Sequence, residues 1–196
     1  YDIRAEDKRQ SLALLDSERA WVREQLPEGP VVTINPGAAY GSAKRWYPER
    51  FAAVGDFLAR EYGMHVVLIG GPGEVEIGKD IGAAIQAPVH NFVGKTSVRQ
   101  MMSLIDVASL MVTNDSGPMH IAAGFNVPIV AIFGSTNHTT TSPFSDSYRI
   151  VRHQVECSPC MLRECPIDHR CMDRVTVDDV VEAVQSFLPE ILQAKE

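Results

Sequence analysis

The sequence predicts an α/β domain in which helices cover both faces of a parallel sheet, and three observations carry that prediction. Short β-branched runs recur along the chain, each followed by a turn and a stretch of helical spacing. The runs show no alternation of apolar and polar residues, which is the pattern of strands buried on both faces. Hydrophobic residues make up 45% of the 196, enough for one domain with a sizeable core.

From Glu6 to Leu26 the spacing is helical and amphipathic, with Leu12, Leu15, Val22 and Leu26 on a face opposite Arg9, Glu18, Arg23 and Glu24. Pro27-Glu28-Gly29-Pro30 stops it, so residues 1–30 read as a helix and linker and residues 31–196 as the domain proper. Strand Val31 to Ile34 precedes a helix from Pro48 to Tyr62, and Val66 to Ile69 precedes one from Glu74 to Ile85. Asn91 to Val93 leads to Val98 through Val107, Leu110 to Thr113 leads to Pro118 through Phe125, and Ile129 to Phe133 is the last strand. This succession predicts a Rossmann-like, doubly wound parallel sheet. Gly134 to Ser147, rich in Ser, Thr and Asn, is a polar loop at the carboxyl end of a strand, where such sheets hold ligands. Val155 to Met172 contains all four cysteines, and beyond it Val177, Val180, Val181, Val184, Phe187 and Leu188 keep helical spacing.

A net charge of −7 and a pI of about 5.4 argue against nucleic acid and against a strongly basic membrane face, leaving a small molecule as the expected partner. No run approaches the ~18 apolar residues of a membrane span and no secretory signal is present, so the expectation is a cytoplasmic protein. A first residue of Tyr1 rather than Met predicts that the chain is a piece of something longer.

The most informative stretch is Val112-Thr113-Asn114-Asp115-Ser116-Gly117-Pro118-Met119-His120-Ile121-Ala122-Ala123, a buried strand that stops at a polar turn and opens a helix. Pro118 suits the first helical position, and Gly117 or Ser116 the cap before it. The amides of Met119 and His120 then have no intrahelical partner, and with the helix dipole they make an anion site, usually for phosphate. A phosphate would repel Asp115. Its carboxylate is therefore expected to turn away and accept hydrogen bonds from hydroxyls, as on a sugar, or from the helix backbone. The plain alternative is that Asp115 or Ser116 only caps the helix. His120 either donates near the phosphates or packs at the helix start.

Two more turns lie at strand ends. The loop from Asn35 to Pro48 has neither G-x-G-x-x-G nor Walker spacing, which argues against nicotinamide and P-loop sites. It carries Ser42 and Lys44, and Lys44 is the candidate point charge toward phosphate; Arg45 is as cationic, and a solvated Lys-Arg pair is the alternative. In Gly70-Gly71-Pro72-Gly73-Glu74, the glycines admit close approach of a ligand, and Glu74 is better placed than Glu76 to hold a ribose diol. First-turn helix acidity explains Glu74 equally well.

Cys157, Cys160, Cys165 and Cys171, with His169 between them, offer ligands for zinc or an iron–sulfur cluster, but their spacing fits no standard ribbon or finger. Reduced cysteines or a redox-labile pair are the preferred reading, and no metal or cofactor is expected. His138 and His153 read as polar loop residues.

Asn35-Pro36-Gly37, Ala43-Lys44-Arg45-Trp46, Gly70-Gly71-Pro72 and above all Thr113 through Ala123 together resemble the ADP-heptose:lipopolysaccharide heptosyltransferases, the ninth glycosyltransferase family. The resemblance runs from about Val31 to the C-terminus. It implies GT-B architecture, two Rossmann-like domains facing a cleft, with this chain as the C-terminal, donor-binding half. It implies that Lys44 contacts the diphosphate of ADP-heptose and that the turn of Ser116, Gly117, Met119 and His120 cradles it. By the same resemblance Asp115 reaches the heptose, Glu74 or its neighbour holds the ribose and Thr96 matches a position lining the adenine pocket. The acceptor, of lipid A–Kdo type, and the general base would belong to an N-terminal domain absent from this chain, and the intact enzyme would work at the inner-membrane surface. The implied reaction is metal-independent, inverting heptose transfer. Two alternatives remain: a sugar-nucleotide epimerase of the same architecture, which needs carboxylates for proton transfer, and a non-catalytic nucleotide- or metal-binding module.

Overall fold

Strands Val31–Asn35 (β1), His65–Leu68 (β2), Val89–Asn91 (β3), Leu110–Asn114 (β4), Ile129–Ile132 (β5) and Tyr148–Val151 (β6) form one sheet in the order β3-β2-β1-β4-β5-β6. Every neighbouring pair is parallel. The order reverses between β1 and β4, so this is the doubly wound arrangement, with a crevice beyond the carboxyl ends of those two strands. The molecule is known from a computed structural model that describes residues 11–193. The part of the expected N-terminal helix before Ser11 lies outside the described residues.

Helices Asp16–Gln25 (α1), Pro48–Tyr62 (α2), Val75–Ala84 (α3), Val98–Asp106 (α4), Gly117–Gly124 (α5), His138–Thr141 (α6), Arg170–Asp173 (α7), Val177–Gln185 (α8) and Leu188–Gln193 (α9) complete the chain. The absence of alternation in the strands has its expected cause. On β1, Val32 and Ile34 pack into a core with Phe51 and Leu58 of α2, Ile81 of α3 and Val180 of α8. Val31 faces the opposite core, with Val22 of α1, Leu104 of α4 and Met119 of α5. Sequence periodicity places α2 well: Pro48 occupies its first turn, where no amide partner is lost, and Gly63 ends it in the left-handed conformation at φ 62°. Phe51 on this helix is fully buried, and its truncation to Ala would cost about 3–5 kcal/mol.

Three expectations need correction. The first helix begins only at Asp16, because the Glu18 carboxylate accepts the Leu15 amide at 2.7 Å and caps the chain there. Leu15 is consequently 66% exposed and Leu12 37% exposed, and neither shares the buried face of Val22. Strand β3 lies two residues earlier than Asn91 to Val93. Strand β6 was not foreseen: at the sheet edge only Val151 is buried, so Tyr148-Arg149-Ile150-Val151 carries no strong strand pattern.

Candidate functional site

The carboxyl ends of β1 and β4 are tied together by two asparagines. Asn35 Nδ2 donates to Ser116 Oγ at 2.7 Å and to Thr113 Oγ1 at 3.1 Å. Asn114 reciprocates, donating to the Pro36 carbonyl at 2.7 Å and accepting the Trp46 amide at 3.0 Å. All three of Asn35, Thr113 and Asn114 are buried, where each bond also spares a polar group from being left unpaired. Both asparagines stand in the quoted motifs but not among the expected site residues, although an Asn at the last position of two adjacent strands is the available signal.

This lattice fixes the turn that opens α5. Ser116 precedes the helix in extended conformation but makes no side-chain cap bond, since its hydroxyl is engaged by Asn35. Capping therefore does not explain Ser116 or Asp115. Gly117 is the first helical residue and Pro118 the second, one step earlier than the sequence suggested. Of the amides expected to be free, that of Met119 bonds the Ser116 carbonyl at 3.2 Å. The Met119 side chain is fully buried in the core beneath α5, whereas His120 is half-buried.

Asp115 does accept hydroxyls, but they are the protein's own. Its Oδ2 takes hydrogen bonds from Thr136 Oγ1 at 2.6 Å and Thr141 Oγ1 at 3.3 Å. The same oxygen lies 2.7 Å from Lys44 Nζ, and both side chains are nearly out of solvent. The polar loop after β5 thus reaches the site, as its position predicted, by supplying Thr136 and Thr141.

A cleft of about 600 Å³ opens beside this turn. Glu74, Thr96, Ser116 and Gly117 line it, together with the glycine turn Gly70–Gly73, Val98 and Met101 at the start of α4, and Arg45. Four of the expected site residues therefore meet in one cavity. Lys44, Asp115, Met119 and His120 do not contribute to the lining, and Ser42 is exposed on the 3-10 turn Ser42–Lys44. Glu74 is the cleft's one acidic lining residue, with its carboxylate accepting the Gly71 amide at 2.7 Å. It leans across the cavity far enough that a Cβ at Gly37 would overlap it. A single engaged carboxylate is a poor basis for the two-sided proton transfer of an epimerase. A second cavity, of about 390 Å³, lies between β6 and α8 and is lined by Arg149, His153 and Asp179, away from the β1/β4 crevice.

The cysteine segment has a role in the site that its composition did not suggest. The Arg163 carbonyl accepts the Ala43 amide at 3.0 Å, and Tyr40 Oη donates to the Met161 carbonyl at 2.8 Å. On the other side the Met161 amide bonds the Ser135 carbonyl at 2.8 Å. Residues 155–172 therefore brace the Lys44 loop against the Thr136 loop. Cys157 is exposed, Cys171 buried, and all four thiols are free. Among the described residues no group of three His, Cys, Asp or Glu side chains is arranged to hold a metal ion.

Comparison with known proteins gives this geometry its family. The sequence model for glycosyltransferase family 9 (heptosyltransferase) matches residues 1–170. This chain belongs to glycosyltransferase family 9. It is 36% identical over 165 residues to lipooligosaccharide heptosyltransferase 2 of Campylobacter jejuni, covering 81% of this chain and 51% of that protein. Against lipopolysaccharide heptosyltransferase 2 of Escherichia coli K12 the identity is 36% over 148 residues, 72% of this chain and 42% of the relative. The solved structure of E. coli ADP-heptose LPS heptosyltransferase II superposes with a TM-score of 0.79 at 32% identity, over 95% of this chain and 54% of that one. The chain thus spans about half the length of the family 9 relatives it matches.

Proposed function

We propose that this chain is the donor-binding half of a lipopolysaccharide heptosyltransferase, taking ADP-heptose for inverting transfer to an inner-core acceptor of lipid A–Kdo type. The observation that carries the reading is the cleft at the β1/β4 crevice, which combines a carboxylate, Glu74, with the first turn of α5 and a cation-bearing loop. Glu74 is suited to the ribose hydroxyls, and the edge formed by Thr96, Val98 and Met101 to the face of adenine. The diphosphate then lies toward Ser116 and Gly117, with the heptose nearest Asp115.

In the reaction an acceptor hydroxyl attacks the anomeric carbon as the bond from that carbon to the diphosphate oxygen breaks. The electron pair stays on ADP, and the hydroxyl proton passes to a base in the acceptor-binding half, which lies outside this chain. Negative charge grows on the diphosphate, so this half acts by stabilising the leaving group through Lys44 and the start of α5. Lys44 is held by Asp115 at 2.7 Å, so its charge is pre-positioned. No metal is needed for this role. Among the described residues no helix is long and apolar enough to cross a membrane, and we place the working enzyme at the cytoplasmic face as a peripheral protein.

Hydrogen exchange with and without ADP-heptose tests the assignment. Protection is expected in Gly70 to Glu74, Thr96 to Met101 and Asp115 to His120. Protection confined to the Arg149, His153 and Asp179 cavity would contradict it.

A further inference from the structure

We propose that Arg45 is a diphosphate-binding residue and the first cation that a nucleotide meets in the cleft; of the two adjacent cations, the resemblance gives such a contact only to Lys44. The inference rests on the nucleotide-sugar reading above and extends it to a residue on which that reading does not depend.

Lys44 and Arg45 are adjacent in sequence but differ in surroundings. The Lys44 ammonium is bound to Asp115 at 2.7 Å and does not line the cleft. Arg45 lines it, facing the same space as Glu74, Ser116 and Gly117, and is the cation among the residues of that lining. Its guanidinium is anchored at one end, where Nη2 donates to the Ala38 carbonyl at 3.2 Å. Beside it Nε is buried and has no partner. Among the described residues three buried side-chain polar atoms are left in this condition, Thr33 Oγ1, Arg45 Nε and Ser135 Oγ, and only the one on Arg45 belongs to a charged group.

A buried charged donor without an acceptor is costly, and such an atom calls for a partner that the protein itself does not supply. The acceptor that fits is an anionic oxygen, because a planar guanidinium presents neighbouring N–H groups to two oxygens of a phosphate. The anchor on Ala38 fixes the plane of the fork before the ligand arrives, so little rotamer entropy remains to be lost on binding. Lys44, by contrast, must share its ammonium between the incoming diphosphate and Asp115. Arg45 thus supplies affinity for the diphosphate beside Lys44, without a carboxylate competing for its charge.

The test is calorimetric titration of the 196-residue chain and its Arg45→Gln and Arg45→Lys variants with ADP and with adenosine. For Arg45→Gln the ratio of ADP to adenosine affinity should fall by about tenfold or more, the size of one lost charge-assisted hydrogen bond. Arg45→Lys, which keeps the charge but loses the fork, should lower the same ratio by a smaller factor; it also provides the reading if Arg45→Gln does not fold, where any unchanged ratio overturns the proposal. A smaller fall for a folded Arg45→Gln, or an equal loss for both ligands, overturns it while leaving the nucleotide site intact. Wild-type chain that binds neither ligand would instead overturn the functional reading, and this inference with it.

Discussion

Lys44 Nζ and Asp115 Oδ2 form a 2.7 Å ion pair whose side chains are only 11% and 5% exposed, joining the loop after β1 to the turn after β4. Thr136 and Thr141 donate to the same carboxylate oxygen. The pair makes opposite demands on fold and function. For the fold, it neutralises two charges that could not be buried singly; for the proposed donor binding, it restrains the ammonium assigned to the diphosphate.

Removing the cation alone should be expensive. Lys44→Met leaves the Asp115 carboxylate buried with hydroxyl partners only, and breaking a buried pair from one side costs about 3–5 kcal/mol. Lys44→Met combined with Asp115→Asn should recover most of that loss in chemical denaturation. A single variant that loses less than about 1 kcal/mol would show that water already reaches the pair.

The donor distinguishes the two partners. Asp115→Ala frees the ammonium of Lys44, so ADP should bind as tightly as before or more tightly, while ADP-heptose loses the contact to its sugar, worth about 1.5–3 kcal/mol. Lys44→Ala should weaken both ligands together. Calorimetry on variants whose melting shows them folded checks the signs, and an equal loss of ADP and ADP-heptose in Asp115→Ala would make Asp115 an organiser of the α5 turn only.

Gly37 should matter for binding more than for stability. An added Cβ overlaps the end of the Glu74 side chain, which can swing aside without moving backbone. Gly37→Ala should therefore stay within about 1 kcal/mol of wild type in denaturation, yet lose affinity for adenosine as the carboxylate leaves the Gly71 amide. Unchanged adenosine binding would remove Glu74 from the ribose site.

The cysteines should separate by reactivity. Burial pushes the Cys171 thiol up from its ordinary value, and nearby Cys157, Cys160 and Cys165 push the same way. A raised pKa leaves less thiolate at neutral pH, so Cys171 should be alkylated last and exposed Cys157 earlier, with Cys171 labelling still rising above about pH 8.5. Mass mapping of time-resolved iodoacetamide labelling reads the order. Equal rates at Cys157 and Cys171 would mean that the brace of residues 155–172 opens freely.

What was legible in the sequence follows from how local the signals are. Five strands and helix α2 were readable because β-branched runs, Pro48 and Gly63 act within a few residues. Edge strand β6 was not, since a half-exposed strand has no apolar run to show. Four cleft residues, Glu74, Thr96, Ser116 and Gly117, came from turns at strand ends, which the doubly wound sheet gathers at one edge. The partnership of Lys44 with Asp115 spans 71 positions in sequence and the brace from Arg163 to Ala43 spans 120, and no local pattern reveals such pairings. Sequence could not rank Arg45 against Lys44 for a different reason: which of two adjacent cations faces a cavity is decided by packing, and here Lys44 pairs with Asp115 while Arg45 lines the cleft.

The most direct test of the central claim is titration of ADP-heptose into this chain, with and without excess EDTA. The donor-half reading predicts saturable binding of one donor per chain, with any change caused by EDTA below about tenfold, because cations and backbone rather than a metal hold the diphosphate. No saturable binding of ADP-heptose by the folded chain would contradict it.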